Sequence, residues 1–359
     1  MRLVESAEIM ISPKQLICIS AQKGLKILDE NEQMPSGHNG PYFDEETPVR
    51  NNAHWAMLFL KAFSLSKNKD YLLAAKKCIS FLKNSVNENN IFECRTKEGK
   101  DKVNGLIGQA WAIEPLGFIQ KFESDSEALQ IATKLIKQHK YEKNISLWFK
   151  SNLKGEEDGL DYTFNHQLWF TAIAAKFSKF DDEIDLNCLN FLNNLYKNIQ
   201  IDKSGRILQS IKISFLESQI KPFLKRFLKR ERHFYNQMKE IGYHGFNTYA
   251  FALLFQSYPN HDFWISDLFK KILKYLSSTE FSKNIKKTKY GFPYNPPGIE
   301  VLATSKVFGE VFEFDLDFVD DLWNHQIEVS FNRDSGLLSE GSFDKNTNMA
   351  RAYEAILCL

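Results

Sequence analysis

The chain has 359 residues, 43% hydrophobic and 25% charged, with 46 basic side chains against 45 acidic ones, a composition that agrees with a well-filled globule. The resulting formal net charge of +1 excludes a globally basic nucleic-acid binder, and no nucleic acid is expected as a partner. Glu5 and Glu8 interrupt any basic-then-apolar leader, and no uninterrupted apolar run of about 18 residues occurs, so the expected address is the cytoplasm.

In chain order, the hydrophobic pattern writes a helical hairpin six times, at a spacing of roughly 45 to 58 residues once one insertion is set aside. The first hairpin pairs Ser12 to Asp29 with Pro48 to Phe63, and the second Lys69 to Ser85 with Asn104 to Ile119. The third pairs Ser126 to His139 with Asp161 to Lys176, and the fourth Asp182 to Ile199 with Gly245 to Ser257. Phe263 to Ser277 with Gly298 to Phe308, and Leu316 to Phe331 with Thr347 to Leu359, complete the set.

The first helix of each pair has one apolar stripe: in Lys69 to Ser85, Leu72, Ala75, Cys78, Ile79 and Leu82 recur at helical spacing opposite four lysines. The second is apolar nearly all round, as in Trp55-Ala56-Met57-Leu58-Phe59-Leu60, and suits a helix surrounded by others. The expectation is an all-α fold, an (α/α)6 toroid of six hairpins with an outer and an inner ring, forming one domain over 1–359. The linkers Ser36 to Phe43, Asn89 to Arg95, Asn144 to Lys150, Ser204 to Leu208, Lys289 to Asn295 and Asp334 to Glu340 mix turn residues with β-formers, predicting short β-ribbons at one mouth.

One segment departs from the repeat. At about 211–240 the chain inserts a basic amphipathic helix, with Ile213, Leu216, Ile220, Phe223, Leu224, Phe227 and Leu228 on one face and Lys221, Lys225, Arg226, Lys229, Arg230 and Arg232 beside them. Two readings fit: peripheral contact with an anionic membrane through 211–232, or a helix packed over its own toroid or a second subunit.

Polar residues gather at the starts of the inner helices. The first brings Arg50, Asn51 and His54 within one turn, and the second Asn104, Gln109, Trp111 and Glu114. Asp161, Asn165 and Trp169 fall four apart on the third, with His166 beside them. The fourth supplies Tyr243 and His244, the approach to the fifth Tyr294, and the sixth Arg351. Such a set hydrogen-bonds hydroxyls and stacks on pyranose rings, and Arg50 or Arg351 can receive a carboxylate. Each also has a plain structural role open to it: Asp161 as an N-cap, Glu114 as a buried acid, His54 and His166 as core histidines.

Five scattered cysteines read as reduced core residues, and no metal-ligand spacing or nucleotide-binding loop occurs, so no metal and no cofactor are expected. A zinc held by His54, His166 and His244 is the one metal arrangement left open.

With these residues in place, the chain resembles the six-hairpin glycosidase superfamily, which includes unsaturated glucuronyl hydrolases, N-acylglucosamine epimerases and the toroidal part of glucuronyl C5-epimerases. Asp161 with Asn165 is similar to the place where unsaturated uronyl hydrolases carry an acid/base aspartate, while Asn104 stands where those enzymes place a second aspartate. Arg50 to Trp55 and Asn104 to Glu114 resemble toroid proteins encoded with surface-polysaccharide or protein-glycosylation genes, which implies glycan biosynthesis and an oligosaccharide or lipid-linked glycan as partner.

Three functional expectations stand together. The first is a glycosidase-like enzyme on a uronic-acid or acylated sugar, with Asp161 as acid/base and Asp44, Glu114, Glu300 or Glu354 as the second carboxylate. The second is a sugar epimerase that uses His54 or His166 against His244 or Tyr243. The third is a glycan-binding scaffold without catalysis.

Overall fold

A computed structural model describes residues 11–212 and 229–359. Hairpin one joins α1 (Pro13–Asn31) to α2 (Val49–Ser66). Helix α1 begins where its sequence says it should: Ser12 accepts the Gln15 amide, Gln15 returns a bond to Ser12, and Pro13 fills the first turn, which needs no amide donor. Helix α2 is buried on almost every side, including Arg50, Asn51, Asn52 and His54.

Hairpin two joins α3 (Lys69–Ser85) to α4 (Gly105–Phe118), and hairpin three joins α5 (Ser126–Gln138) to α6 (Phe164–Ala174). Hairpin four runs from α7 (Asp182–Asn193) and α8 (Leu195–Asn198) to α9 (Lys229–Phe255). Hairpin five joins α10 (Asp267–Leu276) and α11 (Thr279–Ile285) to α12 (Pro297–Phe308). Hairpin six pairs α13 (Leu316–Ser330) with α14 (Lys345–Ala350), which continues as a tighter 3-10 segment, Arg351–Cys358.

The inner elements form a closed ring. Helix α2 packs on α4, α4 on α6, α6 on α9, α9 on α12, α12 on Arg351–Cys358, and that segment returns to α2. The outer helices lie against them, α1 touching both α2 and the last segment, so hairpin six is locked to hairpin one. This is an (α/α)6 toroid. Trp55 is fully buried against Gly24 of α1, where a Cβ would come within 2.1 Å of the indole; the glycine lets inner and outer helix close at that level.

The ribbons follow the expected linkers in part. Between α5 and α6, β1 (Tyr141–Glu142), β2 (Leu147–Ser151) and β3 (Glu157–Leu160) form an antiparallel sheet, and β4 (Phe331–Asn332) pairs with β5 (Leu337–Leu338) between α13 and α14. Single bridges, Val86 to Phe92 and Ile201 to Ile207, stand in the second and fourth linkers. The first linker instead forms a 3-10 turn, Gly40–Tyr42, and the fifth is a series of turns. Pro41 in one and Pro293 in the other lack the amide a ladder needs.

The fourth inner helix begins earlier than the expected Gly245. It is continuous from Lys229, because Gly242 and Gly245 serve close packing against Tyr290 and Glu300 and do not end a helix. The insertion therefore runs directly into the inner ring. Residues 213–228, most of the 211–232 stretch on which the membrane-contact reading rests, lie outside the described residues. Among the described helices none is long and apolar enough to cross a membrane, and all five cysteines are unpaired.

Candidate active site

A cavity of about 190 Å3 opens at the N-terminal ends of the inner helices. Of the residues singled out in the sequence, it gathers Arg50, Asn104, Trp111, Asn165, His166, Tyr243, Tyr294 and Arg351 on its wall. All six hairpins contribute.

The third hairpin supplies the most specific geometry. Asp161 lies buried beneath His166, and its Oδ2 is 2.8 Å from His166 Nδ1 and 3.1 Å from the Leu106 amide, while Oδ1 accepts the Thr163 amide at 3.1 Å. Burial alone would raise this carboxyl, but His166 and the two amides outweigh it and hold Asp161 down to about 2. An ionised carboxylate only accepts, so His166 Nδ1 carries the proton of this contact and Nε2 is the ring nitrogen left for a ligand. Gly105 makes the approach possible: its backbone has φ +57°, and a Cβ there would lie 2.5 Å from Asp161 Oδ2 and 2.9 Å from His166 Nδ1.

Next to His166, the buried Oδ1 of Asn165 has no hydrogen-bond partner among the described residues, although it lines the cavity. A buried amide oxygen without a donor is costly, and a ligand hydroxyl is the kind of group that would satisfy it.

The Arg50 guanidinium lies over Trp111, with its Cζ 4.0 Å from the ring centroid. Its Nη1 binds Glu46 at 3.2 Å and its Nε donates to His54 Nε2 at 3.3 Å, while Nη2 has no partner among the described residues. His54 is buried between Trp111 and Tyr353, and burial together with Arg50 and Arg351 keeps its pKa well below the usual histidine range. It is therefore a neutral acceptor that aims Arg50.

Arg351 faces the cavity with its donors already spent. Glu354 takes Nε at 2.7 Å and Nη2 at 3.1 Å, Glu300 takes Nη2 at 2.9 Å, and Asn295 takes Nη1 at 2.9 Å. Burial, opposed by Arg351 and reinforced by Glu354, pushes Glu300 up to about 8, and Glu300 Oε2 has no partner among the described residues. One guanidinium thus holds two acids in a dry wall of the ring.

The other singled-out residues lie elsewhere. His244 accepts the Ile207 amide on Nδ1 at 3.3 Å and donates from Nε2 to Ile272 O at 3.0 Å, on the side of its helix away from the cavity. Gln109 pairs with both backbone groups of Phe92, each at 3.0 Å, much as a neighbouring strand would. Asn51 ties Pro35 O to Thr347. Trp169 is fully buried on Phe246 and Tyr249, with ring centroids 4.6 and 5.8 Å away. Glu114, some nine residues and about 14 Å along α4 from its start, binds Lys176 at 2.7 Å and Tyr353. His54, His166 and His244 do not meet, and among the described residues no three metal-ligating side chains gather.

Several lining residues escaped the sequence reading. Tyr42, which bonds Tyr243 through their hydroxyls at 3.1 Å, comes from the first linker and reaches across to hairpin four. Asn39 accepts from Tyr294 at 2.9 Å. Lys239 sits where the sequence shows only a basic amphipathic face. Asp44, expected from the sequence as a possible second carboxylate, also lines the cavity, clasped by Lys97 and Lys100 at 3.1 and 3.3 Å, with Arg95 at 3.9 Å. The aromatic run of the linkers, Tyr42, Tyr290 and Tyr294, was the available signal.

No protein-family model matches the chain. Over 366 aligned positions it is 34% identical to the archaeal glycosylation protein Q of Haloferax volcanii, with 96% of this chain and 97% of that protein covered. Its fold is similar to that of a D-mannose isomerase, with a TM-score of 0.65 and 12% identity over 100% of both chains. An unsaturated glucuronyl hydrolase from Streptococcus agalactiae has a TM-score of 0.63 at 13% identity, covering 96% of this chain and 91% of that one.

Proposed function

The chain belongs to the family of the archaeal glycosylation protein Q, and from that premise we propose that it is a carbohydrate-active enzyme of glycan assembly, an epimerase or isomerase that moves a proton on a uronic-acid sugar. The observation that carries this reading is the pair Asp161 and His166, in which the carboxylate holds Nδ1 and leaves Nε2 as the ring nitrogen offered to a cavity able to hold a sugar.

In this mechanism His166 Nε2 takes the proton from a ring carbon next to a carbonyl or carboxyl group, and Asp161 stabilises the imidazolium that forms. Trp111 provides an aromatic face for the pyranose, Asn165 Oδ1 accepts a hydroxyl, and the free edge of Arg50 binds the carboxylate and the negative charge that develops on it. Returning the proton completes the exchange. Tyr243, whose phenol is kept neutral by burial and by Tyr294 and Tyr42, is the candidate donor from the neighbouring wall.

Hydrolysis has less support. A pair of carboxylates must flank the bond, whereas Asp44 is the one acid among the described lining residues and is held by three cations. Asp161, with a carboxyl held at about 2, is a poor proton donor.

The test is turnover of uronic-acid and N-acetylated oligosaccharides in deuterated water by wild type and His166→Ala. Solvent deuterium entering a ring carbon without chain cleavage, and lost in the variant, is the expected result. Released sugar would establish hydrolysis instead. Binding with neither signal would leave a glycan-binding scaffold.

A further inference from the structure

Among the described residues four cations line the cavity, and three have an acid at hand. Arg50 has Glu46, Arg95 has Asp44, and Arg351 has Glu300 and Glu354. Lys239 is the exception: among the described residues it has no ion-pair partner. Its ammonium instead lies against the rings of Tyr42 and Tyr243, 5.2 and 5.7 Å from their centroids. Its neighbour Glu240 is turned to Arg206, 3.3 Å away.

This placement is unfavourable for an idle lysine. Burial depresses the Lys239 ammonium, with only Glu240 acting in the other direction. Two tyrosine faces compensate in part, since the negative face of an aromatic ring attracts a cation. Water would serve a solvent-facing lysine better, yet this side chain is directed into the cavity beside Tyr243. What the position lacks, among the described residues, is an anion paired to the ammonium.

We infer that Lys239, between Tyr42 and Tyr243, receives a second anionic group of the substrate, a phosphate ester attached to the sugar. The inference rests on the sugar reading above and extends it to a doubly charged substrate. Arg50, through the edge that Glu46 leaves open, and Lys239 differ in shape. Arg50 offers a flat guanidinium edge over Trp111, which suits a planar carboxylate, whereas an ammonium with three rotatable donors suits a tetrahedral oxyanion. Tyr42 and Tyr243 close around the ammonium from two different hairpins, so phosphate binding there would also fasten the first linker over the cavity.

The phosphate of a free sugar phosphate and that of a carrier-linked phosphodiester share this chemistry. The experiment is calorimetric titration of the full chain with glucuronic acid, α-glucuronic acid 1-phosphate and its methyl diester, using wild type, Lys239→Met and Lys239→Arg. Wild type is expected to prefer a phosphorylated sugar over glucuronic acid by at least about tenfold. Lys239→Met should abolish that ratio and Lys239→Arg restore most of it, with Lys239→Gln as the substitute if the Met variant does not fold. A stronger monoester indicates a free sugar phosphate, and an equal or stronger diester a carrier. Equal binding of glucuronic acid and both phosphates, or an unchanged ratio in Lys239→Met, overturns the phosphate site and leaves the sugar reading intact. Failure of wild type to bind any of the three overturns both.

Discussion

His166 Nδ1 and Asp161 Oδ2 lie 2.8 Å apart, and the contact fixes which nitrogen of the ring is offered to the cavity. Everything in the catalytic proposal depends on that polarity. Without the carboxylate the proton is free to sit on either nitrogen, and the imidazolium formed during turnover loses its counter-charge.

His166→Ala is therefore expected to lower the rate of deuterium exchange by about 10²–10⁴-fold, the usual contribution of a positioned base. Asp161→Asn should also lower it, since the ring loses the acceptor that fixes its tautomer and the imidazolium loses its counter-charge. An Asn variant that exchanges at the wild-type rate would refute the pairing.

Gly105→Ala tests the same contact without touching either partner. The new methyl group would meet Asp161 Oδ2 at 2.5 Å on a backbone with φ +57°. We expect a loss of about 1–2 kcal/mol from the strained backbone together with a large fall in turnover. Urea midpoints and exchange rates measured on the same preparation would check it; full activity would show that the pair tolerates displacement.

Acid should destabilise the fold in two stages. Burial pushes His139 and His244 each down to about 4, below the ordinary value of 6.5, so each binds fewer protons folded than unfolded. Stability then falls as pH drops from 6.5 through 4, by up to about 3 kcal/mol for each histidine. Asp161 acts lower: its contribution is complete above about 3.8 and disappears as pH falls through 2, about 2 kcal/mol in all. His244→Gln should blunt the upper stage and preserve exchange activity, because Gln109 and Gln167 hold equivalent linker backbones. Chemical denaturation across this range would measure both stages.

Alkali acts through Glu300. Its folded pKa is raised to about 8 from an ordinary 4.5, so the folded state holds a proton that the unfolded chain has already released. Stability therefore declines as pH rises from 4.5 through 8, and Glu300→Gln should flatten that slope in thermal melts. Removing the guanidinium is the harsher change: Arg351→Met leaves two buried acids and should cost about 3–5 kcal/mol. A variant that melts like wild type at pH 9 would contradict this arrangement.

The alternation of half-buried and fully buried helices announced the toroid, because an inner-ring helix has no face left for charge, as α2 and α4 demonstrate. The site was less legible. Polar residues at helix starts looked alike in sequence, yet they divide by which side of the helix they occupy. Asn52, Gln109, Gln167 and Asn348 turn outward and hold the backbones of Met34, Phe92, Trp148 and Leu338. His244 does the same for Ile207, so it reads as catalytic from its type and as a clamp from its contacts. Tyr42 had no helical phase to mark it, since it lies on a linker turn, and Lys239 belongs to an inner-ring helix that begins earlier than its glycines suggest, so the sequence assigned it to the insertion.

The seam between the sixth and first hairpins has a kinetic meaning. An open stack of repeats unravels from either end, one unit at a time, because each unit holds only its neighbours. Here Thr347 bonds Asn51 across nearly the whole chain, and the Arg351–Cys358 segment lies against both α1 and α2. Neither end is a free terminus of the stack, so loss of any one hairpin exposes the flanks of two others. Contacts this distant in sequence are slow to form, and once formed they bind the six units to a shared lifetime: protease sensitivity should appear in all of them together or in none.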